Sequence, residues 1–172
     1  IRASLARAGV AVVTPDYRLS PRVKYPAYVD DAAAAFAWTV KHIAAHGGDP
    51  RKVFIGGHSM GGFGSWTLGA HHADLFAAAV PSAGAPSPIY NRDGSIYGME
   101  TGVIPNLRNL PMCVFQSTDD PRVPPDVNQA AARDVERART RWDGYEDFEY
   151  PGTALIPDLG GEPADVVHLH NL

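Results

Sequence analysis

The chain has 172 residues, 45% hydrophobic and 20% charged, the balance of one ordinary globular domain with a sizeable core. A net charge of -4 and the lack of any basic run give no attraction toward nucleic acid. The single cysteine, Cys113, excludes an intrachain disulfide, and no stretch is long enough to span a bilayer.

The elements read as follows. "IRASLARAG" is the end of a helix stopped by Gly9, and "VAVVTPDYR" is a buried strand running out at Pro15. "LSPRVKYPAYVDD" is a proline-marked loop. From Asp31 to about Ala45 an alanine-rich helix follows, with Asp30 or Asp31 as its N-cap. After the turn "HGGDPRK", Val53, Phe54 and Ile55 form a buried strand without polar alternation. Residues 60 to 72 make the next helix. "LFAAAVPSAG" is a third strand, and a long weakly patterned section runs from Ala85 to Leu110. "LPMCVFQS" is a fourth strand, "PPDVNQAAARDVERARTRW" a helix opened by proline, and "YEDFEYPG" a short fifth strand. Short apolar strands alternating with long helices imply a parallel sheet covered on both faces.

The chemistry centres on "VFIGGHSMGGFGSW", residues 53 to 66. Gly57, Ser59 and Gly61 fall as G-x-S-x-G between a strand and a helix. That context places the serine on a strained turn, clear of the sheet edge. The bland reading is a Gly/Ser-rich turn that binds a phosphate or nothing. A nucleophilic serine needs a base, and the base needs an orienting acid. In an open parallel sheet these lie beyond the carboxyl ends of strands. "STDDPRVPP" offers Asp119 and Asp120 there, although either could simply cap a solvated turn before Pro121. The histidines after the fifth strand are His168 and His170. His58 adjoins the serine but should point away from it and pack or bond locally. His42, His46, His71 and His72 suit helix surfaces or ends, and no spacing suggests zinc. Cys113, within "MCVF", packs rather than reacts.

These stretches resemble the α/β-hydrolase superfamily, within it the esterase/lipase group that includes the hormone-sensitive-lipase-like carboxylesterases. "VVTPDYRLSP", then "YPAYVDDAAAAFAWTVKHIAAHGGDPRKVFIGGHSMGG", match that group in order and spacing, and the likeness runs through "DDPRVPP" over roughly residues 1 to 152. "GHSMGG" leans toward feruloyl/acetyl esterases and oligopeptidase-like members. The resemblance implies a single, partial α/β-hydrolase domain over 1-172, with a mostly parallel sheet and helices on both faces. It makes Ser59 the nucleophile and Asp120 the acid, four residues before Pro124, with Asp119 the fallback. The family's base often stands as Y-P-G-x-x-H, but after Tyr150, Pro151 and Gly152 no histidine follows at that spacing. His168 is then the first choice and His170 the alternative. The backbone N–H of Met60 becomes one oxyanion donor. Tyr90, Tyr97 and Met99 are pocket-lining candidates, with loop packing as the plain alternative.

No H-G-G-G oxyanion loop is found, and the chain starts one helix downstream of where the family carries it. The expectation is a fragment with exposed strand edges at "VAVVTP" and "VFIGG", inclined to self-associate or to take missing strands from a partner chain. A minimal hydrolase with a rearranged sheet is the other option. The resemblance implies a serine carboxylic-ester hydrolase acting on small or medium acyl or aryl esters, without a cofactor. The rivals are an oligopeptidase-type serine peptidase and a hydrolase-fold binding module that has lost activity. Compartment stays open between cytoplasm and secretion.

Overall fold

The computed structural model describes residues 2–86 and 104–140. The expected fifth strand, the tail with His168 and His170, and Tyr90, Tyr97 and Met99 lie outside the described residues. The chain divides into two compact units, Ile1–Val53 and Phe54–Leu172.

The first unit opens with α1 (Arg2–Arg7), stopped as expected at Gly9, whose φ of 78° suits a residue without a side chain. The helix α2 (Ala27–His42) starts four residues earlier than expected. Pro26 stands at its N-cap without a side-chain hydrogen bond, so neither Asp30 nor Asp31 is the cap. Asp31 is taken up elsewhere: it accepts from the Arg18 backbone N–H at 2.9 Å and from the guanidinium at 2.7 Å. The Arg18 guanidinium and backbone N–H hold the Asp31 carboxyl down at about 2. A 3-10 turn, Ile43–His46, extends α2, and Gly47 closes it in the left-handed region at φ 83°. His42 and His46 lie on this surface beside the Trp38 ring. Residues 10–19 form no strand. A strand exists only through a neighbour's hydrogen bonds, and none of the described residues pairs with this stretch.

The second unit begins with β1 (Phe54–His58), followed by α3 (Met60–His71) and β2 (Ala78–Ser82). The two strands are parallel, Phe54 opposite Ala78 through His58 opposite Ser82. β1 is not buried on both faces as expected. Its residues alternate, with Ile55 packed on the core and Phe54 on the opposite face, 54% exposed. The α3 helix lies over β1 and β2 and shelters only the Ile55 side.

The expected fourth strand is reduced to residues 111–116, tied to β2 by two isolated parallel bridges, Ala79 with Met112 and Ser82 with Phe115. Four backbone bonds of 2.9–3.0 Å hold it: Ala79 N–H to Pro111 O, Cys113 N–H to Ala79 O, Phe115 N–H to Pro81 O and Ala83 N–H to Phe115 O. In this register the next rung would run from residue 81 to Cys113 O. Pro81 has no N–H, so the ladder breaks into two bridges. The side chains still alternate as in a strand, with Met112, Val114 and Gln116 buried.

The helix α4 (Pro125–Thr140) opens at a proline, as read from the sequence. The core gathers Trp66 and Ala70 from α3, Ala79 from β2, Met112 and Val114, and Ala131 and Val135 from α4. Ile104, Leu107 and Leu110 complete it from a 3-10 segment (Ile104–Asn109) and its exit. The buried Arg139 guanidinium donates to Arg108 O and Leu110 O, both at 2.9 Å, and so ties α4 to that exit. Cys113 is half-buried, and burial pushes its thiol up to about 11.

Candidate active site

Ser59 occupies the turn from β1 into α3 with φ 55° and ψ -116°. For a residue with a side chain this conformation is strained by about 1–3 kcal/mol and persists only where the surroundings enforce it. Three contacts do so. The Ser59 N–H donates to Ser82 O at 3.0 Å, and the Phe63 N–H donates to Ser59 O at 3.0 Å. The third is main-chain proximity. A Cβ at Gly57 would sit 2.6 Å from the Gly61 carbonyl carbon, and one at Gly62 would sit 2.3 Å from Ser82 O. Only glycine lets the first turn of α3 fold back this closely on β1 and on the end of β2. The Ser59 side is exposed, as is Met60 at 50%. Met60 is the first residue of α3, so its N–H has no acceptor within the helix.

The carboxyl ends of β1, β2 and the 111–116 segment form one edge of the sheet. Ser59 follows the first and Asp119 and Asp120 follow the third. Asp120 is half-buried. One of its oxygens, Oδ1, accepts the N–H of Val123 at 3.0 Å and of Arg122 at 2.9 Å. These two bonds hold its carboxyl below the usual carboxylate range, with the charges of His58 and Arg122 acting in the same direction. Asp120 is thus a turn-forming aspartate and a stabilised anion at once. Asp119 is exposed and accepts the Ser117 hydroxyl, a contact that turns it back on its own loop.

The partner of His58 is on the neighbouring strand rather than local in the chain: its Nδ1 lies 3.4 Å from the Ser82 hydroxyl across the strand pair. This pair is distinct from Ser59. The sequence reading did not anticipate the Ser82 contact, nor the left-handed Ala83 at φ 46° just after it. Small residues at the end of a strand were the only signal for either. It also missed a buried polar chain behind the acid loop. Trp66 Nε1–H donates to Asn128 Oδ1 at 2.9 Å, and Asn128 Nδ2–H donates to Gln116 Oε1 at 2.8 Å. Gln116 Nε2–H donates to Val123 O at 2.9 Å and Ser117 O at 3.1 Å. The base candidates His168 and His170 and the pocket candidates Tyr90, Tyr97 and Met99 lie outside the described residues. Among the described residues no group of three or more metal-ligating side chains converges, and no helix is long and apolar enough to cross a membrane.

Comparison with known proteins bears on this arrangement. A family model described as an alpha/beta hydrolase fold matches residues 1–77. The carboxylesterase NlhH of Mycobacterium tuberculosis is 44% identical over 61 residues, 36% of this chain and 19% of that protein. The ethyl acetate hydrolase of Pseudomonas putida is 28% identical over 135 residues, 73% of this chain and 42% of that protein. The chain therefore spans from about a fifth to less than half of these relatives. The crystal structure of a thermostable esterase superposes with a TM-score of 0.50 at 24% identity, over 64% of this chain and 26% of that one, a likeness of fold. A parallel sheet with flanking helices and a serine on a strand-turn-helix give the chain an α/β-hydrolase type of fold, and over part of its length it is similar to several carboxylesterases and lipases at modest identity.

Proposed function

We propose that the protein is a serine carboxylic-ester hydrolase working through an acyl-enzyme on Ser59. The observation that carries this reading is the strained Ser59 turn, held on the same sheet edge as the stabilised Asp120 anion. A histidine base, His168 or else His170, takes the Ser59 proton while Asp120 holds its imidazole in the productive tautomer. The Ser59 oxygen attacks the ester carbonyl, and the Met60 N–H donates to the oxyanion that forms. Collapse expels the alcohol, which takes the proton from the imidazolium. Water then attacks the acyl-enzyme with the same base, releasing the acid and free Ser59. Small or medium acyl or aryl esters are the substrate class. The kinship with a protein named for ethyl acetate hydrolysis supports the small end of that range.

Treatment with a fluorophosphonate followed by peptide mass spectrometry tests the assignment. The adduct is expected on Ser59. An adduct on Ser82, the other serine with a histidine neighbour, and an unmodified Ser59 would refute it.

A further inference from the structure

We propose that Gln116 is a positioning residue for the Asp120 carboxylate, clamping both ends of the acid loop and itself held in one orientation by Asn128 and Trp66. The proposal rests on the reading of Asp120 as the acid. Gln116 ends an otherwise apolar segment and is 2% exposed. Packing alone would be served there by an aliphatic residue, because a buried amide is unfavourable unless fully bonded. Its bonding is complete. The two donors of Nε2 go to Ser117 O, where the loop leaves the sheet, and to Val123 O, where it approaches α4. Val123 in turn donates its N–H to Asp120 Oδ1. The same residue thus receives the clamp and holds the carboxylate.

The direction of the chain is fixed at its far end. An indole N–H is a donor only, so Trp66 requires the Asn128 oxygen to face it. That turns the Asn128 amide nitrogen toward Gln116, which must then present its oxygen to Asn128 and its nitrogen to the loop. Were Gln116 reversed, its oxygen would meet two carbonyl oxygens. Trp66 lies on α3, the helix that follows directly on Ser59, so the nucleophile's helix and the acid's loop share a buried polar connection. Asn128 and Trp66 are 1% and 0% exposed, which keeps water from substituting for any link.

The test uses Gln116→Met in the full chain, with two readouts. Amide hydrogen exchange should rise about tenfold at Arg122 and Val123, while Cys113 and Phe115, bonded to β2, stay protected. The rate of Ser59 labelling by the fluorophosphonate should fall about 10²-fold at its plateau, the loss typical of a misplaced group. Its pH midpoint should move to lower pH, because an imidazolium that loses its carboxylate gives up its proton more easily. Trp66→Phe, which removes the orienting donor together with part of a buried ring, should move both readouts the same way by less, and serves if the methionine variant does not fold, the shift in pH midpoint separating lost orientation from the cavity. Unchanged exchange at Arg122 and Val123 overturns the clamp, and this arm needs no turnover. Slower labelling with an unshifted pH midpoint and exchange raised throughout the core overturns it too, since that is mere loss of stability. If Asp120→Asn labels at the native rate, the reading of the acid fails. If Asp120→Asn is slow and Gln116→Met is native-like, only the positioning role fails.

Discussion

Replacing Gly62 by alanine is the most direct trial of the idea that main-chain proximity shapes the serine turn. The helix α3 contains glycines with opposite surroundings. A Cβ at Gly64 would meet nothing within 4 Å, whereas one at Gly62 would lie 2.3 Å from Ser82 O and 3.1 Å from Gly84 Cα. Ordinary carbon–oxygen contacts begin at about 3.3 Å, so the backbone at Ser82 must retreat by about 1 Å. Both substitutions gain up to about 1 kcal/mol of helix propensity. At Gly62 that gain is outweighed by overpacking of about 1–3 kcal/mol against backbone, which cannot rotate away. Gly64→Ala should therefore be stabilised by about 0.5–1 kcal/mol, and Gly62→Ala destabilised by up to about 2 kcal/mol. The displaced atom is also the acceptor of the Ser59 N–H. Gly62→Ala should then lose Ser59 labelling under conditions where it remains folded. Urea denaturation beside the labelling assay measures both. A Gly62→Ala protein as stable as Gly64→Ala, labelled at the native rate, would show that the close approach does not set the turn.

Two further outcomes are expected. Asp120→Asn should lower esterase turnover by about 10⁴-fold, the loss known for a triad aspartate, and Asp119→Asn by far less; steady-state kinetics showing the reverse would transfer the acid role to Asp119. With its thiol pushed up to about 11, Cys113 carries about one thiolate per 10³ at pH 8. It should react with a disulfide reagent at least about 10²-fold more slowly in the native protein than in urea, and a rapid native reaction would contradict its burial.

Local signals proved legible where the physics was local. The stop at Gly9, the proline opening α4 and the glycines about Ser59 each depend on a few adjacent residues, and the structure has them as read. The N-cap of α2 was not legible. Asp30 and Asp31 precede an alanine run, but Arg18, 13 residues upstream, engages Asp31. The strand at 10–15 was expected from apolar content alone, which says nothing about whether a partner is at hand. The exposed face of β1 escaped for a related reason, since burial of Phe54 depends on a neighbouring layer rather than on its own sequence. At the candidate site, the Ser59 turn and the Asp119–Asp120 loop could be placed from motif and position along the chain. Gln116 could not, because its meaning lies in partners 7 and 12 residues away and, through Asn128, in Trp66 a further 62 residues off.

The missing rung at Pro81 divides the seam between β2 and residues 111–116 into two short stitches. One joins the buried Ala79 to Pro111 and the half-buried Cys113. The other joins Pro81 and Ala83 to Phe115, immediately before the acid loop. Between them the seam carries no rung at residue 81, and the buried side chain of Val114 spans the gap. The acid loop therefore hangs from a short flap of sheet rather than from a continuous one. Among the described residues, the Phe115 stitch and the buried amide of Gln116 both hold its start. A single proline thus leaves the sheet beside the Asp119–Asp120 loop sewn in two separate places, and the buried amide chain from Gln116 to Trp66 supplies the tie that the missing rung does not.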